Sequence, residues 1–209
     1  MILRAVLFDL DGTLLDSAPY WQTAWRALTT ARFAELPDGV LDDLTGLSTP
    51  DAVATVHRRM RWDGDVPTDV AWLEANVSQA LRKHVAWLPG ALRLVSEVRA
   101  AGLATGLVTS SSRPLVDSAL PDRRPDLFDV IVCGDDVERP KPDPSPYLYA
   151  VERLQLTPPE CVAVEDSVTG VASATAAGCR VVHIGHTGSN PDEAAIDELD
   201  AATLLRLAR

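Results

Sequence analysis

The sequence predicts an α/β protein, a doubly wound parallel sheet with a small α-helical segment inserted after the first strand. Three observations carry this. Short, nearly continuous apolar runs alternate with helical periodicity, the pattern of a parallel sheet covered on both faces. Several of these runs stop abruptly in polar or acidic residues, as strands do at the ligand-binding edge of an open α/β sheet. Between residues 17 and 88 no second strong strand occurs, and the apolar residues there follow helical spacing. The chain has 209 residues, enough for one core plus a modest insertion.

The first strand is read over Ile2 to Phe8, and turn signals follow it. Ser17 can cap a helix, with Pro19 tolerated in its first turn; Trp21, Ala24, Trp25 and Leu28 continue it, and Pro37-Asp38-Gly39 breaks it. Thr49-Pro50 reads as an N-cap followed by proline at the first helical position, with Val53, Val56, His57 and Met60 as the apolar stripe. Asp63-Gly64-Asp65 is a loop, and Val70, Leu73, Val77 and Leu81 mark a third helix.

From Pro89 the character changes. Pro89-Gly90 opens a helix ended by Gly102, and Leu103 to Val108 is a strand that runs into Thr109-Ser110-Ser111-Ser112. Val116 to Leu120 reads as a short helix, Phe128 to Cys133 as a strand, and Asp135-Asp136 as a solvated turn. A helix over Pro144 to Leu154, with Asp143 as its cap, precedes a strand over Cys161 to Val164 that ends in Glu165-Asp166. A helix from Ser167 to Ala177, a strand from Arg180 to Ile184, a loop over 185–195 and a final helix from Ile196 to Leu207 complete the order.

All five tryptophans fall in the helical segment, where bulky rings fill a small core; stacking of one of them on a sugar is the alternative. His57 lies on an apolar stripe and reads as a core residue, while His84, His183 and His186 join no constellation. Cys133, Cys161 and Cys179 read as unbridged core thiols. The net charge of −11 argues against nucleic acid or an anionic membrane as partner, so an anionic substrate must rely on local positive charge. No apolar run approaches the ~20 residues of a membrane span. The Asp9 and Asp11 carboxylates interrupt the only candidate leader, so the cytoplasm is the expected location.

Chemistry concentrates at the strand ends. Asp9 and Asp11 lie two residues apart, so an extended chain can turn both to one site, and Gly12 allows a sharp turn and close approach of a ligand. Two adjacent carboxylates raise each other's pKa and call for a cation or a functional reason. Thr109 with Ser110, and Glu165 with Asp166, end two further strands, and Lys141 follows a fourth. In a parallel sheet these residues share one edge. Such an oxygen-rich set suits Mg²⁺, and the lysine can neutralise a phosphate.

Asp9-Leu10-Asp11-Gly12-Thr13, Thr109-Ser110, Lys141-Pro142 and Glu165-Asp166-Ser167 resemble, in order and rough spacing, the four motifs of the haloacid dehalogenase-like phosphohydrolases. The stretch from Val162 to Gly178 is similar to the branch of β-phosphoglucomutase and phosphoglycolate phosphatase. The resemblance implies a Rossmann-type catalytic core at 1–15 and 89–209 and a helical cap of the C1 type at 16–88. It implies Asp9 as nucleophile, Asp11 as general acid and base, Thr109 and the Ser110 N–H as phosphate ligands, and Lys141 as a bridge between Asp9 and the phosphate. It implies Mg²⁺ held by Asp9, the Asp11 backbone carbonyl and Asp166, supported by Glu165. Arg139-Pro140 stands where relatives often carry glycine, which puts the placement of Lys141 in question.

The cap loop Gly46-Leu47-Ser48-Thr49 matches the family's substrate loop, so Gly46 and Ser48 are expected at the leaving group. Thr49 or Pro50 stands where the mutase carries an arginine for a second phosphate, and Thr13 is the common phosphatase residue. The expectation is a Mg²⁺-dependent phosphatase of a small phosphate ester acting through an aspartyl-phosphate, with a sugar phosphomutase as the alternative and a phosphate sensor as the non-catalytic one. A monomer is expected, with a dimer as the alternative. The linkers near Leu15–Ala18 and Trp87–Gly90 are expected to hinge the cap.

Overall fold

The computed structural model describes residues 2–32, 34–37, 39–120, 127–185 and 195–207. Five parallel strands form one sheet: β1 (Ala5–Phe8), β2 (Ala104–Val108), β3 (Val130–Val132), β4 (Cys161–Glu165) and β5 (Arg180–His183), in the order β3-β2-β1-β4-β5. Ala5 pairs with Ala104 on one side and Cys161 on the other, so β1 lies at the centre, where the strand order reverses. That reversal opens a crevice at the carboxyl ends of β1, β2 and β4.

Strand residues alternate between two apolar layers, as the pleat requires. Val6 and Phe8 face one layer with α4 (Ala91–Ala100) and α5 (Arg113–Ala119). Ala5 and Leu7 face the other, with α6 (Ser145–Arg153) and α7 (Val168–Ala176). The inserted segment supplies α1 (Ala18–Ala31), α2 (Thr49–Met60) and α3 (Val66–Lys83). Helix α3 packs on α1, α2 and α5, and the buried residues of the insertion are continuous with the first layer. The two connections to the insertion pair with each other: Leu88 N–H donates to the Leu14 carbonyl (2.8 Å) and Asp16 N–H to that of Ala86 (2.9 Å).

Several sequence expectations shift. Helix α1 stops at Ala31, before Pro37; Asp38 lies outside the described residues. Ser48, not Thr49, caps α2, because its hydroxyl accepts the Asp51 N–H while Thr49 already has helical backbone. The final helix is divided into a 3₁₀ turn at Ile196–Glu198 and α8 (Ala201–Leu207), since Leu199 is extended and the Asp200 carboxylate accepts the Thr203 N–H (2.6 Å). The loop expected over 185–195 and His186 fall almost wholly outside the described residues.

Asp135 and Asp136 are not merely a solvated turn. Asp135 accepts the Arg113 N–H at the start of α5 (2.9 Å), and Asp136 pairs with the Arg113 guanidinium and accepts the Cys133 N–H. Carboxylates suit the exposed N–H groups and positive dipole end of a helix start. The three cysteines are buried and form no disulfide. Among the described residues no helix is long and apolar enough to cross a membrane.

Candidate active site

Asp9 directly follows β1, and its N–H donates to the Val164 carbonyl of β4 (3.0 Å), so the sheet ladder itself sets its position. Its carboxylate is buried and accepts from Lys141 Nζ at 2.7 Å. Lys141 also donates to the Val108 carbonyl (2.8 Å) and to Glu165 Oε1 (2.5 Å), which uses all three of its N–H donors. Pro140 therefore does not displace Lys141 from the site. Burial works against the charge on Lys141, but Asp9 and Glu165 outweigh it and hold the ammonium above its ordinary range. Asp9 is pushed well above the usual carboxylate range, first by burial and then by Glu165, Asp166 and Asp11, against the pull of Lys141. The site thus carries more negative charge than one lysine offsets.

Asp11 sits on the turn that Gly12 makes with φ of +83°. Its carboxylate points away from the lysine: Oδ2 accepts from Ser111 Oγ (2.6 Å), with Thr109 Oγ1 at 3.5 Å. The two acids, neighbours in sequence, therefore have different partners. Thr109 is buried at the end of β2, where its N–H donates to the Val132 carbonyl (3.0 Å) and its hydroxyl accepts the Ser111 N–H (3.0 Å).

Strand β4 ends in Glu165, which is fully buried. Its Oε1 accepts from Lys141 and from the Tyr147 hydroxyl (2.5 Å), and its Oε2 from Ser167 Oγ (3.3 Å). Asp166 Oδ1 accepts from Thr13 Oγ1 (3.1 Å). Asp9, Glu165 and Asp166 each bring a carboxylate oxygen within 4.8 Å of the others, an all-oxygen donor set of the kind hard divalent cations take. The Asp11 carboxylate is not in that group.

A family model described as haloacid dehalogenase-like hydrolase matches residues 6–184. The chain belongs to the haloacid dehalogenase-like hydrolases. Hexitol phosphatase A of Escherichia coli K12 is 33% identical over 193 residues, covering 91% of this chain and 87% of that protein. Protein CbbY of Rhodobacter capsulatus is 33% identical over 193 residues, with 87% and 85% covered. The crystal structure of CbbY from Rhodobacter sphaeroides in complex with phosphate superposes with a TM-score of 0.84 at 25% identity, over 99% of this chain and 100% of that one.

In this haloacid dehalogenase-like hydrolase the acids open into a cavity of about 200 Å³ between the sheet edge and the inserted helices. Gly46 lines it, with φ of +77°, and its carbonyl accepts from Thr169 Oγ1 (3.0 Å) and Ser110 Oγ (3.4 Å). A Cβ on Gly46 would collide with Ser167 and Thr169, so only glycine lets this loop lie on the core. Ser48 does not line the cavity; its hydroxyl is spent on Asp51, at the start of α2. Trp21 and Trp25 do line it, while Trp62 packs edge-on against His57 in the insertion's interior. His57 is buried as expected, and its Nε2 lies 2.6 Å from Asp69.

Sequence reasoning missed Ser111, Tyr147 and Gly170 as members of the site. Ser111 follows Thr109 by two residues, a signal that was present. Tyr147 and Gly170 look like ordinary helix residues, and only the packing of α6 and α7 on β4 brings them to Glu165.

Proposed function

We propose that this hydrolase is a Mg²⁺-dependent phosphatase of small phosphate monoesters, working through an aspartyl-phosphate on Asp9. The observation that carries the reading is the division of labour between two acids on one turn: Asp9 against Lys141, Asp11 against Ser111. One is held for attack beside a fixed cation, and the other stands apart with access to the cavity. The activity in the name of hexitol phosphatase A is of the same class.

A carboxylate oxygen of Asp9 attacks phosphorus as the bond to the leaving oxygen breaks, and Asp11 donates the proton that oxygen needs. Water then attacks the aspartyl-phosphate, and Asp11 takes its proton, which regenerates Asp9 and releases phosphate. Thr109 and the Ser110 N–H position the phosphoryl oxygens, and the charge of Lys141, held against Asp9, offsets theirs. Asp9, Asp166 and the Asp11 carbonyl would hold Mg²⁺, which when bound neutralises phosphoryl charge. Glu165 supports that set chiefly through Lys141, because its own oxygens already accept from Lys141, Tyr147 and Ser167.

The core is proposed at 1–15 and 89–209 and the cap at 16–88, a division supported by the paired linkers at Leu14–Asp16 and Ala86–Leu88. A phosphomutase needs a cation on the cap loop for a second phosphate, and Thr49 and Pro50 supply none. The reading extends to a cytoplasmic monomer without a nucleic-acid or membrane partner, in keeping with the net charge of −11.

The test is phosphate release from a panel of phosphate esters, with Mg²⁺ and with EDTA. Mg²⁺-dependent release is expected, with a loss of at least about 10⁴-fold in Asp9→Asn while the fold is retained. Wild-type protein inert on every ester with Mg²⁺ present, or an active Asp9→Asn, rules the reading out.

A further inference from the structure

The cavity is divided chemically into two halves. At its floor lie Asp9, Asp11, Thr109 and Ser110; the opposite wall comes from α1 and the segment around Gly46. That wall presents the indoles of Trp21 and Trp25 together with Leu41, Leu44 and Leu47. Its polar residues are Asp16, Ser17, Gln22, Thr45 and Thr49, the last with its hydroxyl bonded to Glu74. Among the described residues, no lysine, arginine or histidine lines the cavity.

Several arginines of the cap are committed elsewhere, and Arg26, Arg61 and Lys83 are exposed and outside the cavity lining. Arg32 holds Asp69, Arg59 donates to Asp43 (2.6 Å) and Arg58 to Thr55 (3.2 Å). Lys141 is 3% exposed behind Asp9, with its three donors engaged.

From this wall we infer that the leaving group is uncharged: a hydroxylated carbon chain or ring that lays an apolar face on Trp21 and Trp25, with Gln22 and Thr45 for its hydroxyls. Esters whose leaving group carries a carboxylate or a second phosphate are rejected. The inference rests on the phosphatase reading of Asp9 and Asp11 and adds the substrate's charge class to it.

The physical reason is desolvation. A charged leaving group gives up water on entering the cavity and is repaid only if a cation meets it. Here the charged residues of the lining, Asp9, Asp11, Asp16 and Asp166, are all acids. The transferred phosphate is met by Thr109 and the Ser110 N–H, with the Lys141 charge behind Asp9 offsetting the acids there. A flat indole surface suits the C–H face of a polyol, while an amide and a hydroxyl satisfy its O–H groups without supplying a charge. Rejection by an unmatched charge is specificity by repulsion.

The experiment compares kcat/KM for a hexitol 6-phosphate, 2-phosphoglycolate and fructose 1,6-bisphosphate at fixed ionic strength with Mg²⁺, with p-nitrophenyl phosphate as reference. The neutral hexitol ester is expected to exceed both anionic ones by about a hundredfold. Gln22→Arg, an exposed position at the cavity wall, should shrink that ratio about tenfold by supplying the missing cation. Trp21→Ala should raise KM for the hexitol ester more than it lowers kcat. Anionic esters within tenfold of the neutral one, or a ratio unmoved by Gln22→Arg, overturn the inference. If no ester, the aryl phosphate included, releases phosphate, the phosphatase reading itself falls. The charge preference is then decided by dissociation constants of the same esters on Asp9→Asn: tighter neutral esters support it, and equal or tighter anionic ones defeat it.

Discussion

The Glu165 carboxylate occupies the space that a Cβ on Gly170 would need. The first turn of α7 thus passes directly over the end of β4, and Glu165 is pressed towards Lys141 and Tyr147. Gly170 has no special backbone angle, so its lack of a side chain serves this close approach alone.

Gly170→Ala is therefore expected to displace Glu165 and loosen Lys141. Overpacking of this kind costs about 1–3 kcal/mol, readable by urea unfolding. Misplacing the lysine should lower kcat about a hundredfold. A folded Gly170→Ala variant with wild-type kcat would break the link between Glu165 and the lysine.

Ser111 donates to Asp11 at 2.6 Å and so fixes which way that carboxylate faces. In Ser111→Ala the carboxylate keeps its charge but loses its anchor. The expected result is a fall in kcat of about ten- to a hundredfold with KM little changed, since proton transfer depends on geometry before it depends on binding. Steady-state kinetics on one good substrate settle it; a change in KM alone would assign Ser111 to substrate binding.

Inside the inserted helical segment, Asp69 is 3% exposed; both its oxygens accept from Arg32 Nη2, and Oδ2 also meets His57. Removing the shared acid leaves a guanidinium and an imidazole without their acceptor. Asp69→Ala should cost about 3–5 kcal/mol in denaturant unfolding. A loss below about 1 kcal/mol would mean that Arg32 and His57 find water instead.

Asp65 caps α3: its carboxylate accepts the hydroxyl (2.5 Å) and the N–H (2.9 Å) of Thr68. These bonds, the hydroxyl first, hold its pKa below the usual carboxylate value. A depressed folded pKa gives stability that is fully present above the unfolded pKa of about 3.9 and lost as pH falls through the folded value. The Tm advantage of wild type over Asp65→Asn should be constant above about pH 5 and shrink below pH 4. An advantage that grows on acidification would reverse the sign and exclude the charge as its source.

The element order is readable because the strands are short, nearly continuous apolar runs and the helices are periodic. Boundaries drifted where one residue's hydrogen bond decides, as at Ser48 in place of Thr49. The family's motifs marked Asp9, Asp11, Thr109, Lys141 and Asp166, since each ends a strand or follows one closely. The loop position of Ser48 does not reveal that its hydroxyl is committed to Asp51. Asp135 and Asp136 are exposed as expected, and only their partner, Arg113, some twenty residues away, is hidden from the sequence.

By itself the sequence determined the parallel sheet, the helical insertion and the pair of acids on a glycine turn. Those depend on local pattern, which a chain carries along its length. Tertiary structure alone decided that Asp9 faces Lys141 while Asp11 faces Ser111, and that Gly170 yields its space to Glu165. It alone built a cavity wall of indoles without a cation among the described residues. These are contacts between segments a hundred or so residues apart, or across a packed layer, and a carboxylate's role follows from the group it meets there.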